Sequence, residues 1–221
     1  GSKANIVRFQ KPSDLTFYAN DNAIAARTAA KGKGRKIRID TRSFSLFKQS
    51  ELRMPGAHNF KNAVAAARVA QTLKIPDRII RTVTLAFRGN EHRLELVRSI
   101  NIKTKSHSNV LKNVRMRFYN DSASTNPQTT IAAIKAFPNV PKILIAGGQD
   151  KGLDYRPLGK ALRNSKTELV ILFGENKKKI HSAIKNSSVR IKLTSNLKTA
   201  VSLAYRSARL LTTYYSLLTI L

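Results

Sequence analysis

Short apolar runs alternate with amphipathic stretches through the second half of the chain. Four runs have the branched apolar residues of covered strands: NVRMRFYND (113–121), KILIAGG (142–148), ELVILFGEN (168–176) and VRIKLT (189–194). Apolar residues at helical spacing follow the runs in turn: PQTTIAAIKAF (127–137), YRPLGKALRNS (155–165), KKKIHSAIKN (177–186) and NLKTAVSLAYRSARLL (196–211). This order predicts right-handed crossovers and a mostly parallel sheet covered on both faces, which is a Rossmann-like α/β domain.

The first half gives shorter patterns. They predict strands at ANIVRF (4–9), DLTFYAND (14–21) and RKIRI (35–39), and helices at NAIAARTAA (22–30), at MPGAHNFKNAVAAARVAQTLKI (54–75) and at DRIIRTVTLAF (77–87). We expect a domain boundary near residues 94–98, with one part at 3–97 and a second at 98–221. Gly1 and Ser2 look like a cloning scar and are left out of the fold.

Composition is that of a globular protein and excludes several chemistries. There is no cysteine, so disulfides, thiolate nucleophiles and cysteine metal sites are excluded. The four histidines, His58, His92, His107 and His181, are too scattered to form a ligand pattern, so we expect no metal site of the protein's own. We find no apolar run long enough to span a membrane and no secretory signal, and we expect a cytoplasmic monomer with no membrane partner.

The net charge of +29 is the feature that most favours nucleic acid as a partner. Against it, the basic residues are distributed over almost every segment, and no basic tract is interleaved with aromatic residues. Evenly distributed charge is more often a solvated surface than a binding surface. We therefore keep a basic nucleic-acid-binding α/β protein as the rival from another class, and expect no specific nucleic acid.

Two polar loops follow predicted strands. In YNDSASTNP (119–127), Asn126 before Pro127 already supplies the helix cap, so the other small polar residues exceed what folding needs. In GGQDKG (147–152), two glycines allow a tight turn before charged residues. Ligands of an open parallel sheet bind at the carboxyl ends of its strands. We expect the two strands to be neighbours and the two loops to face one crevice.

Single residues permit a functional and an ordinary interpretation. Asn59 and Asn62 lie on one face of a helix's first turn, where carboxamides suit a nucleotide, although Asn59 could simply be a cap. Arg93 suits phosphate, or pairs with a nearby acid on the surface. Lys151 could be one more solvated lysine, whereas Asp121, at the tip of a strand, is harder to explain as a solubilising charge. The chain has no GxxxxGK[ST] phosphate loop.

Together these signals resemble one family. The matching stretches are PGAHNFKNAVAAA (55–67), FRGNEHRLELV (87–97), FYNDSASTNPQTTIAAIKAF (118–137), ILIAGGQDKGLDYRPL (143–158) and VILFGEN (170–176). In this order they resemble the muramyl ligases of peptidoglycan synthesis. HNxxN is similar to a motif shared by muramyl and folyl ligases, whereas NDSxxTNP with GGxDKG resembles the branch that adds D-glutamate. The likeness runs from Lys3 to about Arg209.

The resemblance implies an ATP-dependent amide ligase that uses Mg2+ and forms an acyl phosphate, with UDP-N-acetylmuramoyl-L-alanine and D-glutamate as substrates. Residues 3–97 would be the end of its central ATP-binding domain and residues 98–221 its D-glutamate domain. Asn59, Asn62, Arg93 and Asp121 would contact ATP. Thr125 and Lys151 would hold the carboxylates of D-glutamate.

Three departures accompany the resemblance. Ala123 stands where the family's loop has a lysine. The chain ends in LLTTYYSLLTIL instead of the family's SPACASFD region, which carries a serine that helps bind D-glutamate. The phosphate loop and a UDP-binding domain are missing from these 221 residues, so we expect no turnover by the chain alone and no catalytic residue within it. Another muramyl ligase or a folylpolyglutamate-type ligase remains the alternative among enzymes.

Overall fold

The computed structural model describes residues 4–105, 109–212, 214, 215 and 217–220. The chain divides into two compact units, Gly1–Phe87 and Arg88–Leu221. The division falls earlier than the boundary we expected at residues 94–98. The assignment of residues 3–97 and 98–221 to two domains of a larger enzyme stays a prediction.

The first unit is a small α/β assembly. Its elements are α1 (Asn5–Arg8), β1 (Leu15–Ala19), α2 (Ala23–Ala30), β2 (Arg35–Ile39), a 3-10 turn (Gln49–Glu51), α3 (Ala57–Thr72) and α4 (Asp77–Ala86). β1 and β2 pair in parallel. Phe44, Phe47 and Val64 lie at the centre of its core, where the two phenylalanine rings meet edge to face at 4.8 Å. The segment before residue 54 therefore obtains its core from α3 and α4.

In its described residues, the second unit contains one large mixed sheet and four α-helices. Its elements are β3 (Glu95–Lys105), β4 (Leu111–Asn120), α5 (Pro127–Lys135), β5 (Lys142–Gly148), α6 (Arg156–Arg163), β6 (Thr167–Gly174), α7 (Lys177–Ile184), a 3-10 turn (Lys185–Ser187), β7 (Arg190–Leu193), α8 (Leu197–Leu211) and β8 (Leu217–Ile220). The strand order is β3-β4-β8-β5-β6-β7. Every pair is parallel except the β3–β4 hairpin.

Helices cover both faces of this sheet. On one face α5, α6 and α7 pack on a core that includes Leu144, Val170 and Leu172. On the other face α8 presents Ala200, Ala204 and Ala208 at helical spacing. These small side chains allow α8 to lie close to the strands. The expected Rossmann-like α/β class is confirmed.

Most predicted elements are present, and two expectations were wrong. The stretch ANIVRF contains the short helix α1 where we predicted a strand. The predicted neighbours β4 and β5 are separated by β8, which pairs in parallel with both. The long edge strand β3 was not predicted at all.

One buried charge stands out in the core of the second unit. Lys142, the first residue of β5, is completely buried, and its Nζ has no hydrogen-bond partner among the described residues. Burial lowers the pKa of this ammonium to about 8, and the Glu168 carboxylate only partly opposes that shift. The sheet therefore contains a lysine that is more easily deprotonated when the protein is folded.

We expect Lys142→Met to raise the free energy of unfolding by about 2 kcal/mol at neutral pH, because an isosteric apolar chain removes the desolvated charge. The folded pKa lies below the unfolded one, so the unfolded state binds the proton more tightly. The wild-type protein therefore loses this stability as the pH falls from about 10.5 to about 8, and the full loss remains below that range.

Urea unfolding of both proteins at about pH 7 and about pH 10 measures this difference. The difference in the free energy of unfolding between wild type and variant should be smaller at the higher pH. The matched control is Lys192→Met, which changes an exposed lysine of β7. It should leave the free energy of unfolding unchanged at both pH values. A gap of the same size at both pH values would show that the burial of charge is not the cause.

Candidate functional site

The carboxyl edge of the large sheet carries the candidate site of the second unit. β4 ends at Asn120, β5 at Gly148 and β6 at Gly174, and the polar loops that we singled out leave the sheet after β4 and β5. Because β8 lies between β4 and β5, these loops leave the sheet from strands that do not touch. Among the described residues, no hydrogen bond joins one loop to the other.

Asp121 organises the first loop. Its Oδ1 accepts from the Leu94 amide at 3.0 Å, and its Oδ2 accepts from the Ser124 hydroxyl. The Ala123 amide donates to the His92 carbonyl at 3.0 Å. These bonds connect the loop after β4 to the segment that precedes β3. Asp121 is thus half-buried and already engaged by the protein.

Arg93 and Thr125 are two exposed side chains of this region. Arg93 precedes the residue whose amide binds Asp121, so its backbone lies beside that carboxylate, and its side chain is exposed. Thr125 is exposed at the end of the loop. Asn126 caps α5 as predicted, because its Oδ1 accepts from the Thr129 amide at 3.0 Å. The structure therefore brings Arg93 and Asp121 together on neighbouring segments.

Asp150 organises the second loop. Its carboxylate accepts from the Gly152 amide at 3.0 Å and from the Lys179 ammonium at 3.1 Å. The Gly152 amide first, and then Lys179, hold the pKa of Asp150 below its ordinary value. The Asp150 amide in turn lies 3.4 Å from a Glu175 carboxylate oxygen. Asp150, one of the charged residues that follow the two glycines, is therefore bound within the fold.

Lys151 follows this neutralised acid. Its side chain is exposed, and it forms no ion pair or hydrogen bond within the described ranges. The neighbouring acids have partners of their own: Asp150 pairs with Lys179, and Asp154 pairs with Arg156. An unpaired ammonium at the carboxyl edge of a parallel sheet is suited to an anionic ligand.

Asn176 supports the second loop from β6, and the sequence reasoning missed it. It is buried, its amide donates to the Gly148 carbonyl at 3.1 Å, and its Nδ2 donates to the Tyr155 hydroxyl at 3.0 Å. Its Oδ1 has no partner in the part of the chain that the structure describes. The motif VILFGEN had marked this position, but a single asparagine after a strand does not reveal the neighbouring β5 turn.

Asn59 and Asn62 belong to the first unit. Gly56 occupies the N-cap of α3, so Asn59 is not the cap; its Nδ2 donates to the Pro55 carbonyl at 2.8 Å. Asn62 is exposed three residues later on the same face. Only Asn62 is fully exposed, and the role of the pair toward a nucleotide stays a prediction.

The described residues contain no group of three His, Cys, Asp or Glu side chains that could hold a metal ion. His107 lies outside the described residues. No described helix is long and apolar enough to cross a membrane.

Comparison with known proteins agrees with the motifs. Residues 108–210 match the family "Mur ligase, glutamate ligase domain". The chain is 32% identical to the UDP-N-acetylmuramoylalanine--D-glutamate ligase of Natranaerobius thermophilus, with 94% of this chain and 46% of that protein covered. It is 34% identical to the ligase of the same name from Acetivibrio thermocellus, with 94% and 47% covered. The chain thus spans about half the length of these relatives.

Solved structures of Mur ligases share the fold of this chain. MurF from Acinetobacter baumannii is similar in structure, with a TM-score of 0.67, 18% identity, and coverage of 99% of this chain and 50% of that one. UDP-N-acetylmuramate-alanine ligase MurC from Thermotoga maritima has a TM-score of 0.51 and 16% identity, with 76% and 35% covered. The matched sequence, the shared fold and the two motif loops lead to one conclusion: the chain belongs to the Mur ligase family.

Proposed function

We propose that this chain is part of an ATP-dependent ligase that joins D-glutamate to UDP-N-acetylmuramoyl-L-alanine in peptidoglycan synthesis. The observation that carries the proposal is the combination of relatives with that name, at 32% and 34% identity over 94% of the chain, and a free cation at the expected loop. In this reaction the carboxylate of UDP-N-acetylmuramoyl-L-alanine takes the γ-phosphoryl group of ATP, which gives an acyl phosphate and ADP. The amine of D-glutamate then displaces inorganic phosphate.

We assign the binding of D-glutamate to two exposed side chains. Lys151 and Thr125 bind the two carboxylates of D-glutamate, Lys151 as a point charge and Thr125 through its hydroxyl. Binding both ends fixes the amine, and such fixed orientation is a large part of the catalysis of a two-substrate reaction.

The proposed contacts with ATP involve Arg93, Asp121, Asn59 and Asn62. Arg93 is exposed and suits a phosphate oxygen. Asp121 keeps the loop after β4 on the Leu94 amide, so its first role is to position that loop. We assign Mg2+ no ligand in this chain, since its described residues form no carboxylate cluster.

The absence of a phosphate loop from these residues gives the first functional prediction. We expect the purified chain, given ATP, UDP-N-acetylmuramoyl-L-alanine and D-glutamate, to release no phosphate above background. Substrate-dependent phosphate release from this chain would contradict the prediction, and would mean that the nucleotide is held by residues other than a phosphate loop.

The same chain should nevertheless bind D-glutamate. In an NMR titration we expect saturable shifts with D-glutamate in the amides of residues 147–152 and 121–126, and weaker ones with L-glutamate. Equal responses to both enantiomers would show that charge attraction alone explains the binding. Shifts with another amino acid of this reaction class, and none with D-glutamate, would favour the alternative muramyl or folylpolyglutamate-type ligase.

The rival function as a nucleic-acid-binding protein is not favoured by the site. The cations of the carboxyl edge are single side chains among neutralised acids, which suits a small anion better than a phosphate backbone.

A further inference from the structure

The β3–β4 hairpin concentrates positive charge on one face. The pairing places Arg117 opposite Ser99, Arg115 opposite Asn101, and Lys103 opposite Asn113. The alternate positions, such as Met116 and Ile102, point to the core beneath α8. We call the outer set the hairpin face; it consists of Ser99, Asn101, Lys103, Lys105, Leu111, Asn113, Arg115 and Arg117.

Nothing described neutralises the hairpin face. Its four cations, Lys103, Lys105, Arg115 and Arg117, form no ion pair within the described ranges, and the face contains no acid. Glu95 is at the opposite end of β3 from Lys103 and Lys105, where it accepts from the His92 amide at 2.9 Å. Side chains two apart on a strand are about 7 Å apart, so the four charges reinforce one another.

Two described residues toward the end of the same hairpin are apolar and exposed. Leu111 lies opposite Lys105 and is 74% exposed, and the adjacent Val110 is 63% exposed. Exposed aliphatic residues beside a row of cations are the pattern of proteins that rest on a lipid surface, where the cations meet headgroups and the aliphatic chains enter the acyl boundary.

We propose that the hairpin face binds the surface of an anionic lipid bilayer, with Leu111 entering the interface; this replaces our expectation from the sequence that the chain has no membrane partner. A bilayer is favoured over nucleic acid because the face carries no aromatic side chain on which bases could stack, while its one apolar member is an exposed aliphatic chain. The proposal is independent of the ligase assignment, since it uses neither strand-end loop.

The test measures binding of the full chain to vesicles of phosphatidylcholine with about one third phosphatidylserine, by co-sedimentation. Each cation near such a surface contributes about fivefold in affinity, so Lys103→Gln with Arg115→Gln should weaken binding about 25-fold. The matched control is Lys198→Gln with Arg206→Gln, which removes the same charge from the exposed side of α8 on the opposite layer. The control should stay within about threefold of the wild type, as a long-range effect of net charge.

A second variant separates insertion from charge. Leu111→Asn leaves the charge unchanged and should weaken vesicle binding about tenfold, because the transfer of an aliphatic side chain from water is lost. That loss should persist at high salt, whereas the effect of the cation pair should shrink. Binding of a single-stranded oligonucleotide should not respond to Leu111→Asn.

Three results would overturn the proposal. The cation pair and its α8 control could weaken vesicle binding equally, which would mean that only net charge matters. Leu111→Asn could leave vesicle binding unchanged. The hairpin variants could instead impair oligonucleotide binding and spare the vesicles, which would assign the face to nucleic acid.

Discussion

Gly147→Ala should lower the free energy of unfolding of the second unit by about 4 kcal/mol. Gly147 lies in β5 with φ +146°, where side chains are rarely accommodated. A Cβ built there would lie 1.9 Å from the Phe173 carbonyl oxygen of β6. Because that oxygen is backbone in a paired strand, relief requires β5 and β6 to separate. The turn that presents Lys151 therefore depends on the absence of one methyl group.

Gly148→Ala is the matched control for this effect. Its φ of +139° is similar, but a Cβ there would have no atom within 4 Å. We expect a cost of about 1 to 2 kcal/mol from backbone conformation alone. Urea unfolding followed by circular dichroism measures both values. Equal losses in the two variants would show that conformation dominates and that the close approach to Phe173 is relieved cheaply.

The parallel part of the sheet could be predicted because its strands are covered on both faces. β5 and β6 consist almost entirely of apolar residues, and each is followed by a helix with its own apolar stripe. Burial on two faces leaves little room for other residue types. The composition of such strands therefore reports their position directly.

Strand β3 was missed for the opposite reason. Along Ile100, Asn101, Ile102 and Lys103 apolar and polar residues alternate, which is the signal of a strand covered on one face. The basic residues of this strand, such as Arg98 and Lys103, make the apolar period of the segment weak. The same alternation, read across the hairpin, would also have shown that the charges form a face.

Strand order and the short helix α1 lay beyond local patterns. β8 enters between β4 and β5 through pairing with Arg115–Phe118 and Lys142–Ile143, partners far away along the chain. In the stretch ANIVRF, apolar and polar residues alternate loosely, which suggested a strand. Only Val7 is buried, however, and the segment forms one helical turn. Tertiary contacts decide such cases over propensity.

The candidate site divides in the same way. The loops after β4 and β5 were identified because polar and glycine residues at strand ends are visible in the sequence. The residues that hold these loops in place could not be identified from the sequence. Lys179 pairs with Asp150, and the Asn176 backbone amide donates to the Gly148 carbonyl, each from another element. Such partners are distant in sequence, so only the fold brings them together.

Lys151→Ala should raise the dissociation constant for D-glutamate of this chain about ten- to a hundred-fold. An ionic hydrogen bond to a charged ligand is worth on the order of 1.5 to 3 kcal/mol, and Lys151 has no partner within the described residues that would absorb its loss. The adjacent Asp150 is already neutralised by Lys179, so the variant does not release a competing charge. Because the side chain is exposed, the free energy of unfolding should not change.

Lys178→Ala is the matched control, since it removes an exposed lysine from α7 of the same unit. The NMR titration with D-glutamate should show a normal dissociation constant for this control and a weakened one for Lys151→Ala. Lys151→Arg should restore part of the affinity, because a charge returns without the compact ammonium geometry. If Lys151→Ala bound D-glutamate as the wild type does, the lysine would be ordinary surface charge. The role proposed for the whole GGQDKG loop would then fail, even with the fold and the family unchanged.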